Sequence, residues 1–112
     1  MTSLARTPRP PYVAVIFTSQ RADAHPEVDA AYTRAADEME ALAARQPGYL
    51  GIESTRGADG LGITVSYWAT EADARAWKAV HEHADVQRRG REEWYSAYQV
   101  RVATVTRDYG KP

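Results

Sequence analysis

The chain has no cysteine among its 112 residues. That excludes disulfides, thiolate metal sites, iron–sulfur ligation and a cysteine nucleophile, and sets it apart from the disulfide-stapled secreted class. It has no apolar run approaching the ~20 residues of a membrane span. No charge of one sign dominates. The 14 basic and 15 acidic residues leave a formal net charge of −1, which gives no electrostatic pull toward nucleic acid or an anionic membrane. Also missing are G-x-G-x-x-G after a strand, a P-loop, H-E-x-x-H and G-x-S-x-G, the parts that dinucleotide, nucleotide, zinc-protease and α/β-hydrolase chemistry need. Nothing stands at metal-ligand or triad spacing around the histidines, so no metal site is expected. The expectation is a cytoplasmic domain whose partner is a small molecule or another protein, with no nucleic acid and no membrane.

What is present reads as one α+β domain. Residues 1–11 form an arm with Arg6, Arg9, Pro8, Pro10 and Pro11 but no apolar h-region, a flexible or polyproline-like segment and not a signal peptide. The domain proper is expected over 12–109, with 110–112 a short tail. Tyr12 to Ser19 is apolar on both alternations and rich in β-branched residues, which favours a strand buried on both faces. Val28, Ala31, Tyr32, Ala35, Met39 and Leu42 then recur at helical spacing and stop before Pro47-Gly48. Two short strands follow around Gly57-Ala58-Asp59-Gly60, the first carrying Leu50 and Ile52. The second alternates Ile63, Val65 and Tyr67 with Thr64, Ser66 and Trp68. Thr70 reads as an N-cap for a second helical region from Glu71 to about Ala97, broken or bent near Gly90. A last strand is expected from Tyr98 to Val105. The order β-α-β-β-α-β is the split βαβ of ferredoxin-like domains, with an antiparallel sheet.

In such a domain two helices cover one face of the sheet and the other face should be polar. Here Val13, Val15 and Phe17 lie on one face of the first strand, and Tyr12, Ala14 and Ile16 on the other. Something must cover the second face. A second copy of the same sheet is expected, giving a homodimer with the sheets facing each other and the helices outside.

Pro47-Gly48-Tyr49-Leu50-Gly51, Gly62-Ile63-Thr64-Val65-Ser66-Tyr67-Trp68, Ala76-Trp77-Lys78, Glu82-His83, Gln87-Arg88-Arg89-Gly90-Arg91 and Trp94-Tyr95 together resemble the antibiotic biosynthesis monooxygenase family of dimeric α+β barrels. The Gln-Arg-Arg-Gly-Arg…Trp-Tyr ending is similar to a largely uncharacterised bacterial branch of that family. The resemblance implies the ferredoxin-like fold and the dimer. For activity it implies a cofactor-independent oxygenase of electron-rich aromatics, a haem-degrading enzyme, or a member with no assigned reaction. In the haem-degrading branch an asparagine on the first strand accompanies a tryptophan and a histidine on the second helix. Trp77 resembles that tryptophan, but the chain contains no asparagine and neither His81 nor His83 matches the ligating histidine. Weak or absent haem binding is expected.

His81 and His83 are the general-base candidates of the second helical region, because an ordinary histidine titrates near ~6.5. They cannot share a face. On a straight helix His81 follows Trp77 by four residues while His83 points roughly 160° away. The family pattern favours His83 instead, through a break between Val80 and His83, and His83 is the preferred reading. Trp68, Trp77 and Tyr95 are candidate aromatic walls, with Trp94 a further ring. Arg88 or Arg91 would hold a phenolate, carboxylate or enolate oxygen, and Arg89 belongs to the same cluster. Glu53 and Arg101 form either a cross-strand ion pair or a catalytic couple. His25 stands alone in a loop. The functional expectation is a cofactor-independent monooxygenase. The alternatives are a non-catalytic small-ligand-binding or stress-response module and a haem-binding protein.

Overall fold

Three local signals divide the chain. At Gly48, φ is +80° and a Cβ would collide with the Asp73 carboxylate, so only glycine lets the turn after the first helix pass beneath the start of the second. Gly60, at φ +89°, closes the central hairpin with Gly57 N–H on the Leu61 carbonyl at 2.9 Å. Thr70 caps the second helix by accepting the Asp73 N–H on Oγ1 at 3.1 Å.

The computed structural model describes residues 4–22, 26–88 and 94–111, apart from the side chains of 26–29 and 85–88. Between the signals it holds β1 (Tyr12–Arg21), α1 (Pro26–Ala44), β2 (Tyr49–Arg56), β3 (Leu61–Trp68), α2 (Glu71–Arg88) and β4 (Tyr95–Val105). This is the expected ferredoxin-like α+β order. The sheet is antiparallel, in the order β2-β3-β1-β4. No helix among the described residues is long and apolar enough to cross a membrane.

The last strand begins three residues before the expected Tyr98. Tyr95 pairs with Arg21 across a register shift, and the Ala22 N–H reaches the Trp94 carbonyl at 3.0 Å. The extended end of β1 thus provides a ladder that draws Tyr95–Ala97 out of the helical region. The expected bend at Gly90 lies outside the described residues.

α1 lies over β2, and α2 over β1 and β3. Helix packing fixes which alternation faces inward. The inward residues are Val13, Val15, Phe17 and Ser19 of β1, with Trp68, Ser66, Thr64 and Gly62 opposite them on β3. The more polar set of β3 therefore points at the helices, while Leu61, Ile63, Val65 and Tyr67 share the opposite face with Tyr12, Ala14 and Ile16. On β2, Leu50 is the extra residue of a register shift between Tyr49 and Gly51, so plain alternation does not put it on the face of Ile52.

Tyr12 and Ala14, on the opposite face, are buried within a single chain. Part of the cover is the chain's own arm. The Ala5 N–H donates to Glu53 Oε2 at 2.9 Å, and the Ala5 methyl occupies the space a Cβ of Gly51 would take. Tyr12 donates to Asp108 Oδ2 at 2.6 Å and accepts from Thr7, and Tyr67 donates to Glu53 Oε1 at 2.6 Å. Glu53 and Arg101 do not pair, because β2 and β4 are opposite edges of the sheet with two strands between them. Leu61 (47 % exposed) and Ile63 (42 % exposed) are left uncovered on this face.

The core sits at one end of the helix-covered face. Val13, Ala43, Trp68, Ala74 and Trp77 are buried together, with Leu42, Tyr49 and Val80 packed around them. Trp68 has no exposed surface, and its indole N–H donates to Ser66 Oγ at 2.9 Å, so its one polar atom is satisfied in the interior.

Candidate functional site

Moving along β1 from Val13 toward Arg21, the layer between helices and sheet stops being solid. A cleft opens, lined by Val15 and Phe17 of β1, Ile52 and Ser54 of β2, Thr64 and Ser66 of β3, and Val100 of β4. Tyr32, Ala36, Met39 and Glu40 line it from α1, Trp77 and His81 from α2, and Tyr95 closes one end. Its volume is about 770 Å³ when the space at its mouth is counted. An adjoining hollow shares Tyr32, Ala36, Met39, His81 and Tyr95 and adds Ala35 and Trp94. The inward polar alternation of β3 now has a purpose. Ser54 and Thr64 join hydroxyls at 2.7 Å across the hairpin, giving the cleft a partly polar floor beneath mostly apolar walls.

α2 is continuous through Val80–His83, so the expected break there is absent. Straight-helix geometry therefore places the histidines. His81 lies on the cleft, offset-parallel to Trp77 (centroids 5.4 Å apart, 2° between planes), and Trp77 stacks in turn on Trp68 at 5.6 Å. Phe17 meets His81 at 6.2 Å and Tyr95 at 5.4 Å, both edge-on. His83 is exposed and faces away. The preference for His83 as the inward histidine is corrected by this continuity.

Of the expected walls, Trp77 and Tyr95 line the cleft, whereas Trp68 lies behind Trp77 in the core. Arg91, Arg89 and His25 lie outside the described residues, as does the side chain of Arg88. Among the described residues there is no cluster of three or more histidine, aspartate or glutamate side chains that would hold a metal ion.

Sequence reasoning missed the polar end of the cleft. Arg56, the last residue of β2, reaches under α1 and donates to the carbonyls of Ser19 and Gly60, to Ser19 Oγ at 2.6 Å and to Tyr32 Oη at 3.1 Å. Tyr95 donates to the same Tyr32 oxygen at 3.1 Å. The Arg21 guanidinium sits 3.9 Å from the centroid of the Tyr32 ring and donates to the Trp94 carbonyl. The available signal was indirect: Arg56 continues the inward alternation of Ile52 and Ser54, and a charged residue on an inward position demands partners.

The chain is thus an α+β sandwich with a half-open aromatic cleft lined by the His81 imidazole and the phenols of Tyr32 and Tyr95. The model of the antibiotic biosynthesis monooxygenase family matches residues 15–89, and the chain belongs to that family. A Bacillus subtilis protein named YqjZ, uncharacterised, is 49 % identical over 107 residues, 96 % of this chain and 90 % of that one. Among solved structures, a mutant of SnoaB, a cofactor-independent oxygenase from Streptomyces nogalater, superposes with a TM-score of 0.69 at 17 % identity, covering 89 % of this chain and 98 % of that one. PA3566 from Pseudomonas aeruginosa gives 0.64 at 20 % identity, covering 89 % and 97 %. At these identities the two structures establish the shared fold.

Proposed function

We propose that the cleft binds a flat, electron-rich aromatic molecule and that the protein is a cofactor-independent monooxygenase with His81 as its base. The observation that carries this reading is the placement of one imidazole in a hollow walled by Phe17, Trp77 and Tyr95. Family membership and the fold shared with a cofactor-independent oxygenase support it.

The chemistry needs little from the protein. His81 takes a proton from an activated C–H of the substrate, such as the methylene of an anthrone. The carbanion passes one electron to dioxygen, and the two radicals combine into a C–O–O⁻ peroxide. Protonation, cleavage of the O–O bond and loss of the second hydrogen from that carbon leave a carbonyl and one water. The protein supplies the base, holds the anion and keeps water away. Haem does not enter this account. The residues do not reproduce the haem-degrading pattern: no asparagine is present, and His81, which lines the cleft, lies parallel to Trp77.

The reading includes a homodimer, supported by the exposed Leu61 and Ile63 on the face away from the helices. Sedimentation equilibrium at micromolar concentration is expected to give a dimer that Ile63→Glu weakens. A wild-type monomer would remove this part of the reading. Oxygen uptake screened against anthrone- and quinol-type compounds tests the activity. Turnover that requires His81 supports the reading, whereas ligand binding with no oxygen consumption would leave a binding module. A haem titration in parallel is expected to give no sharp Soret shift.

A further inference from the structure

We infer that Tyr32, set in place by Arg56, is an oxyanion-binding site that selects an aromatic ligand bearing a phenolate or enolate oxygen. The inference rests on reading the cleft as an aromatic-ligand site, and it names the substituent recognised there.

Three observations carry it. First, every partner of Arg56 is a neutral oxygen, those of Ser19, Gly60 and Tyr32, and no carboxylate pairs with it among the described residues. A half-buried cation without a counter-ion leaves positive potential at the end of the cleft. Second, the Tyr32 oxygen accepts from both Arg56 and Tyr95, so its own proton serves neither bond. Two donors on one phenol oxygen polarise that O–H and strengthen it as a donor to an anion. Third, Tyr32 lines both hollows, so a ligand oxygen can reach it, while Arg56 lies behind it. Tyr32 is then the binding group and Arg56 a positioning residue. Arg21 lies over the face of the Tyr32 ring, while Arg56 bonds its oxygen. Glu40, which also lines the cleft, works against an anion, but it is exposed and therefore screened, whereas Arg56 is partly withdrawn from water.

The site suits the carbanion chemistry without depending on it. Deprotonation of an anthrone-type carbon puts negative charge on the conjugated carbonyl oxygen, and a preset donor there lowers the energy of that charge. Substrates with no oxygen conjugated to the reacting carbon would gain nothing from it.

The test uses 4-nitrophenol, whose phenolate absorbs visible light and whose phenol does not, with its methyl ether 4-nitroanisole as a control of similar shape. At the pH where free nitrophenol is half ionised, the molecule bound to the full chain is expected to be mostly phenolate. Tyr32→Phe, nearly identical in shape, should reduce the preference for phenolate over phenol about ten-fold or more, the usual effect of losing a hydrogen bond to a charged group. It should leave nitroanisole affinity unchanged. Arg56→Met should act in the same direction with Tyr32 still present, and if that variant does not fold, Tyr32→Phe decides alone. Neutral nitrophenol in the wild-type cleft, or equal weakening of nitrophenolate and nitroanisole by Tyr32→Phe, would overturn the inference. Phenolate selection without oxygen uptake on any substrate would remove the monooxygenase and keep the oxyanion site. Turnover dependent on His81 with phenolate selection unchanged in Tyr32→Phe would do the reverse.

Discussion

The two ends of the helix-covered face are made from the same strands and helices, yet one is solid and the other open. Around Trp68, α1 and α2 present Ala43 and Ala74, both buried, and the small side chains let the helices settle onto the sheet. One to three turns along, the same helices present Tyr32, Met39 and His81, which stand between helix and sheet and leave a cleft. The sheet changes with them, from Val13 and Trp68 to the hydroxyls of Ser54 and Thr64. Side-chain size on two helix faces thus separates the solid core from the open cleft.

Truncating the solid end should have the largest effect. Trp68→Ala removes the one large side chain with no exposed surface among the described residues and leaves Trp77 and Tyr49 facing a void, so a loss of about 3–5 kcal/mol is expected in urea denaturation. A loss below about 1 kcal/mol would mean that this end is not the core.

Enlarging an alanine at each end sharpens the contrast. Ala43→Leu overpacks a fully buried position and should cost about 1–3 kcal/mol. Ala36→Leu, about two turns earlier on the same helix, lines the cleft and should change stability by no more than about 0.5 kcal/mol. The same substitution should abolish binding of an aromatic ligand. Equal destabilisation by both variants would show that the cleft is not preformed space.

A smaller effect separates the helix-covered face from the one behind it. Burial, reinforced by the bond to Glu53, raises Tyr67 well above the ordinary tyrosine range, and the bond to Asp108 raises Tyr12. The folded state therefore favours the protonated phenols. Their contribution to stability is complete below about pH 10, where tyrosine in the unfolded chain begins to ionise, and is lost as pH rises toward the folded value. Stability should fall on the alkaline side, and Tyr67→Phe should flatten that fall. A variant with the wild-type alkaline slope would refute the assignment to Tyr67.

The fold was legible because its boundaries are local. Pro47-Gly48, Gly57–Gly60 and Thr70 act through their own backbones, and they fix the element order without help from the rest of the chain. The start of β4 was not legible, because Tyr95–Tyr98 suits either a helix or a strand until the end of β1 arrives to pair with it. The site was legible in part. Trp77 and His81, four residues apart on an uninterrupted helix, share a face by periodicity alone. The continuous α2 carries both onto the cleft, where the family pattern favoured His83. Arg56 was hidden because its partners are distant: Ser19 lies 37 residues away in sequence and Tyr32 24. A charged residue at the end of a strand looks solvated until folding brings such groups over it. The inward polar set of β3 was hidden for a related reason. Alternation shows that two faces differ, but the helices decide which is inside, and here Thr64 and Ser66 line the cleft beneath them.

The account stands most directly on His81 as the base of the cleft. Oxygen uptake with an oxidisable anthrone-type substrate, followed from pH 5 to 9 in wild type, His81→Ala and His83→Ala, measures this in one series. The expected result is a wild-type rate that rises as histidine loses its proton, a fall of about 10²-fold or more in His81→Ala, and near wild-type turnover in His83→Ala. A rate that survives in His81→Ala, or collapses in His83→Ala instead, would contradict the account and leave the cleft a passive container for a substrate that oxidises by itself.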